Sequence, residues 1–164
     1  MNIEHFLSNL SGKWLVQQTL YHLISGKSQS QKSEVTYKVT NTFSDLPLKE
    51  FTHIDVLDIY WNNSESQLKH SLYFFNTSLK KSGYIIKWTS NNKKLLTGNF
   101  FFHETGILHL LIHQNVHHFS INEKIFTPTS KLKLNNSIIK KYGICLFVSF
   151  ISEIKLTSEM ANES

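Results

Sequence analysis

Residues 34–43, EVTYKVTNTF, alternate without a break. Val35, Tyr37, Val39, Asn41 and Phe43 fall on one face, and Glu34, Thr36, Lys38 and Thr40 on the other. A period of two is the mark of a strand with one face buried. Similar runs recur at short intervals: 54–61, 70–77, 83–90, 95–103, 106–114, 116–121, 123–128, 131–139 and 143–156. Asn91–Asn92, Glu104-Thr105-Gly106, Asn122 and Asn135–Asn136 supply turn chemistry between several of them. The chain opens differently. Asn2 is placed to cap a short helix in which Ile3, Phe6, Leu7 and Leu10 share a face, and Ser11–Gly12 stops it. From Lys13 the pattern is β, with Trp14, Val16, Gln18, Leu20 and His22 in line on one side of the first strand. The segment 45–52 has the composition for one helical turn, and 157–164 reads as a polar, frayed tail.

The pattern therefore predicts an all-β domain over residues 1–156 with an N-terminal helix, followed by the tail. Neither a βαβ rhythm nor a fixed internal repeat is visible, so a meander closed into a barrel or folded into a sandwich is expected.

Composition narrows the chemistry. With 40% hydrophobic residues, twelve Phe and only two Pro among 164, the chain is that of an ordered globular domain without a linker. All 17 basic residues are Lys, so the net charge of +5 comes without a single Arg fork for phosphate or base edges. The lysines are dispersed, and no nucleic-acid partner is expected. A single Cys, Cys145 within GICLFVSF, excludes an internal disulfide and reads as a small buried hydrophobe. No run approaches the roughly 18–20 apolar residues of a membrane helix, and no secretory signal pattern opens the chain, so a soluble intracellular protein is expected.

Nine His invite a metal reading that the spacing does not support. His109 and His113 share a strand face but stand roughly 13 Å apart. Neither a nucleophile elbow nor a phosphate loop occurs. The polar residues lying in line with apolar ones are more informative. Gln18 and His22 interrupt the apolar face of the first strand, and Ser149, Ile151, Glu153 and Lys155 share a face of the last. Buried polar groups need partners, so such faces suit a pocket whose ligand supplies them. Glu123 opens one strand. Lys131 and Lys133 alternate with Leu132 and Leu134, which taken alone reads as an amphipathic strand with its lysines in water. A Lys and a Glu pointing into a barrel would favour an anionic ligand that needs proton handling.

Three stretches together resemble a known family. SGKWLVQQTLYHL (11–23), EKIFTPTSKLKLNNS (123–137) and SFISEIKL (149–156), with Trp61 in IYWNN, resemble in order the motifs of the CpcS/CpeS phycobiliprotein lyases. Those motifs run Gly-(Lys/Arg)-Trp-x-x-Gln-Arg-Thr-x-His-His-Leu, then Glu-(Arg/Lys)-Ile-Trp-Phe with Leu-Arg-Leu-Arg-Thr-Ser, then Ser-Phe-Cys-Ser-Glu-Ile-Arg. The resemblance implies a lipocalin-like antiparallel β-barrel of about nine to ten strands with an N-terminal helix. It implies an enzyme that binds a phycobilin, such as phycoerythrobilin or phycocyanobilin, and attaches it by a thioether to a Cys of a phycobiliprotein β subunit. No further cofactor or metal is implied, and the compartment would be the plastid stroma or the cyanobacterial cytoplasm. A homodimer is compatible with such a barrel. By position, Gln18, Lys133, Asn135 and Lys155 stand where the family carries Arg suited to the bilin propionates. Glu123 matches a Glu suited to pyrrole N–H groups, and Glu123 and Lys133 are the expected catalytic pair. His22, Trp61 and Ser137 are expected to line the pocket. A bilin or small-molecule carrier of lipocalin type without transfer activity is the rival reading, favoured by Gln18 and Asn135 in Arg positions.

Overall fold

The computed structural model describes residues 2–42, 53–63, 66–76, 81–89, 94–114 and 117–157. The helix α1 runs Ile3–Leu10, capped by Asn2, whose side chain accepts from the His5 N–H at 2.9 Å. Ten strands follow: β1 (Gly12–His22), β2 (Lys27–Thr42), β3 (His53–Asn63), β4 (Ser66–Asn76), β5 (Ser82–Thr89), β6 (Lys94–Phe102), β7 (Leu108–Gln114), β8 (Phe119–Thr129), β9 (Leu132–Lys141) and β10 (Ile144–Lys155). Each pairs antiparallel with its neighbours in the chain, and β1 pairs with β10, so the meander closes into a barrel. The expected architecture is present. The expected break at Asn122 is absent, however, since β8 runs unbroken over Phe119–Thr129, and the helical turn expected at 45–52 lies outside the described residues.

The helix lies across one end of the barrel. Ile3, Phe6, Leu7 and Leu10 are fully buried and join the barrel core of Trp14, Val16, Val35, Phe74, Phe100 and Leu110. Burying four such side chains is worth about 6–12 kcal/mol as an upper figure. The joint between helix and barrel is a short one. Gly12 turns the chain at φ +124°, a value that suits glycine, and the Trp14 indole donates to the Leu10 carbonyl at 2.8 Å. Trp14 is thereby fixed in the barrel floor, edge-on to Tyr37 at 6.4 Å. Two strand crossings leave no room for a side chain. A Cβ at Gly98 would stand 1.9 Å from the Leu111 carbonyl oxygen, and one at Gly83 2.0 Å from that of Phe75.

Candidate functional site

The barrel encloses a cavity of about 290 Å³ between the helix and the opposite, open end. Its wall is mostly apolar, with Leu20, Leu57, Ile59, Trp61, Leu72 and Ile151 among the lining residues. Into this wall the strands place two groups of polar side chains.

The first group forms the floor. Lys133 on β9 and Glu153 on β10 are direct partners in the ladder and both point inward. They are 4% and 2% exposed, with Nζ 2.8 Å from Oε1. The Tyr37 hydroxyl from β2 donates to Glu153 at 2.8 Å, and Lys133 donates to that hydroxyl at 2.5 Å. Isolated charges cannot be buried at this depth; paired and hydrogen-bonded ones can. Burial, then the Glu153 carboxylate, pushes the Tyr37 phenol well above its ordinary value, so it remains a donor. The amphipathic reading of the Lys131–Leu134 run is corrected here. Lys133 faces the interior, and its leucine neighbours lie on the outer side.

The second group lines the wall above. Asn135 on β9 donates through its amide nitrogen to the Glu123 carboxylate on β8, and its own carbonyl oxygen is buried with no hydrogen-bond partner among the described residues. Gln18 donates to Ser149 at 3.2 Å and accepts from Gln31 at 2.9 Å. Ser137 lies directly opposite both Glu123 and Ser149 in the ladders. Across the barrel, His70 on β4 and Lys87 on β5 also reach the cavity, with the His70 ring beside the Thr89 hydroxyl at 3.3 Å. Burial, then the neighbouring Lys87 charge, lowers the His70 pKa, which favours the neutral imidazole.

Of the eight residues singled out in the sequence, six line this cavity: Gln18, Trp61, Glu123, Lys133, Asn135 and Ser137. Two do not. His22 lies at the rim, packed on Phe147 with centroids 4.8 Å apart and hydrogen-bonded to Ser25. Lys155 reaches the other way, donating to the Asn9 carbonyl at 2.9 Å with its ammonium over the Trp14 ring. It ties the helix to the barrel instead of facing the cavity. Four contributors were not singled out as site residues: Tyr37, Glu153, His70 and Lys87. Tyr37 and Glu153 sit on the predicted inward faces, which was their only signal. Cys145 is partly buried beside an irregularity in the β9–β10 ladder. Among the described residues no group of three or more His, Cys, Asp or Glu is arranged to hold a metal ion. None of their helices is long and apolar enough to cross a membrane.

No family model matches the sequence. Curated proteins do. The chain is 27% identical over 157 residues to the chromophore lyase CpcS/CpeS homolog of Pyropia yezoensis, covering 94% of this chain and 99% of that protein. It is 22% identical over 172 residues to the chromophore lyase CpcS/CpeS of Thermosynechococcus vestitus, covering 95% and 93%. The S-type phycobiliprotein lyase CpeS of Guillardia theta superposes with a TM-score of 0.63 at 16% identity, covering 96% of this chain and 94% of that one. The chain is similar over nearly its whole length to chromophore lyases of the CpcS/CpeS family. Those relatives and this chain correspond over nearly their full lengths, so the barrel with its end-on helix is the whole shared unit.

Proposed function

We propose that this chain is a phycobiliprotein lyase, binding a phycobilin in the barrel and presenting it to a cysteine of a phycobiliprotein subunit. The observation that carries the reading is the pair of acceptors in the wall. The Glu123 carboxylate and the Asn135 carbonyl, which has no partner among the described residues, lie together in the polar patch of a mostly apolar cavity, where an unsatisfied buried acceptor costs about 1–3 kcal/mol. A linear tetrapyrrole offers what they lack, N–H donors on a flat apolar body. Trp61 gives that body a stacking surface. At 290 Å³ the cavity is near the small end of ligand sites, roughly 300–1,000 Å³, so a four-ring bilin would leave one end outside the barrel. That end is the one available to an acceptor.

The protein in this scheme supplies no nucleophile. The acceptor thiol adds to the bilin's ethylidene carbon, and the lyase holds the chromophore extended and its reactive end exposed. Glu123 and Asn135 orient the pyrrole nitrogens and bias their protonation. The neutral Lys133–Glu153–Tyr37 floor keeps the cavity from collapsing. The partner is a phycobiliprotein apo-subunit, taken as β. The compartment is the plastid stroma or cyanobacterial cytoplasm, in keeping with relatives from red algae and cyanobacteria.

Adding phycocyanobilin or phycoerythrobilin to the purified protein is expected to sharpen and shift the visible band, and Glu123→Gln to weaken that change. An unchanged spectrum at excess bilin would remove the reading. The rival, a carrier without transfer activity, is favoured by Gln18, whose amide is engaged by Ser149 and Gln31 where the family has an Arg. A spectral complex that never becomes covalent on an acceptor would select it.

A further inference from the structure

The family motifs lead to Lys133 and Lys155 as anchors for an acidic ligand, and the geometry withdraws both. The Lys133 charge is cancelled within the floor by Glu153 at 2.8 Å, and Lys155 is turned away to the helix carbonyl of Asn9. Gln18 and Asn135 carry no charge. The cavity therefore has an uncompensated carboxylate, Glu123, on the β8–β9 side. Its remaining lysine is Lys87, on β5.

Among the described residues no hydrogen bond or ion pair holds Lys87, although its side chain lines the cavity. It stands two residues from the end of β5 that lies away from the helix, and so toward the open mouth. His70, on the adjacent β4, lines the same wall. In the closed order of ten strands, β5 lies five strands from β10 by either route, four from β9 and three from β8 by the shorter one. The cation thus stands opposite Glu153 of the floor and on a separate part of the wall from the acceptor pair, three strands from Glu123 and four from Asn135. An ammonium in an apolar wall with no counter-ion attracts an anion far more strongly than the same group in water.

We propose that Lys87, with the His70 imidazole beside it, forms the anion subsite of this cavity and holds a carboxylate of the ligand. A ligand whose N–H groups meet Glu123 and Asn135 would then carry its acid group across to β5, near the mouth. For a bilin this is one of the propionates, and the subsite would compensate for the uncharged residues in the Arg positions of β1 and β9. The ligand's identity rests on the function proposed above; the anion subsite rests on the charge layout alone.

The full-length protein is titrated with phycocyanobilin and with its dimethyl ester, reading the visible band, in the wild type, Lys87→Met and Lys87→Arg. The wild type is expected to bind the diacid about tenfold more tightly than the ester. Lys87→Met is expected to lose that preference while keeping its affinity for the ester, and Lys87→Arg to retain it. A Lys87→Met protein that still prefers the diacid as the wild type does would overturn the subsite and leave the bilin reading standing. Should neither form of the bilin bind, the sulfonate probe 8-anilinonaphthalene-1-sulfonate decides the matter by its fluorescence. Binding weakened about tenfold by Lys87→Met keeps the anion subsite and removes the bilin; binding indifferent to Lys87 overturns the subsite too.

Discussion

Glu153→Gln is a change of one atom at the centre of the barrel floor, and its cost follows from what it strands. In the wild type, Lys133 is 4% exposed, and its ammonium is balanced by a carboxylate 2.8 Å away that also accepts from Tyr37. The amide keeps the volume and one acceptor oxygen but leaves the ammonium buried without a counter-charge. Breaking a buried pair from one side costs about 3–5 kcal/mol. For a chain of 164 residues each kcal/mol moves Tm by about 2–4 °C, so a fall of roughly 6–20 °C is expected. Urea unfolding followed by tryptophan fluorescence, with the thermal transition by circular dichroism, gives both numbers. The partner experiment is Lys133→Met with Glu153→Leu, which removes both charges at once. It should lie within about 1 kcal/mol of the wild type or above it, since a buried pair is rarely worth its desolvation against apolar packing. Its two components taken singly, Lys133→Met and Glu153→Leu, would then be strongly non-additive. If Glu153→Gln cost less than about 1 kcal/mol, or if the single changes summed to the double, water would be reaching the pair, and the closed floor would be wrong.

Two pH dependences and one packing effect follow from the same structure. Because burial lowers the His70 pKa, the unfolded chain binds a proton there that the folded one refuses. Stability should fall as pH drops below about 6.5, and His70→Gln should flatten that slope in urea titrations across pH. Tyr37 has the opposite sense: its raised value means stability is intact below about 10 and declines as pH rises beyond it, and Tyr37→Phe should blunt the alkaline loss. Gly98→Ala places a methyl 1.9 Å from the Leu111 carbonyl oxygen and should cost about 1–3 kcal/mol by forcing β6 from β7, read as a lower urea midpoint.

What was legible in the sequence was whatever one strand or helix decides by itself. The helix face of Ile3, Phe6, Leu7 and Leu10, the stop at Gly12 and the inward row from Trp14 to Leu20 needed only local periodicity. The start of β2 did not. Residues 27–32 are exposed, so they carry no burial pattern, and it is pairing with β1 out to His22 that makes them strand. Asn122 has the residue type of a turn, yet its side chain projects outward and its Oδ1 accepts from the His109 Nε2–H at 2.8 Å, leaving β8 unbroken. The floor was less accessible still. A lone Lys in a Lys-Leu alternation belongs in water unless a counter-charge is buried with it. That counter-charge is 20 residues away and the phenol 96, and only the closure of β1 on β10 and β2 brings the three together. Lys155 fails in the reverse sense, since the helix end that takes its ammonium is 146 residues distant. Six of the residues marked by the family motifs line the cavity wall, because motif spacing survives where contact information does not. The motifs were silent on His70 and Lys87, which lie in the divergent middle of the chain.

The measurement that bears most directly on the account is coexpression of this chain with a bilin source and a phycobiliprotein β subunit, followed by zinc fluorescence of the denatured acceptor. Covalent, fluorescent pigment on the acceptor that requires this chain, and that diminishes with Glu123→Gln, is the expected result. An acceptor that stays colourless, or that gains pigment equally well without this chain, would contradict it.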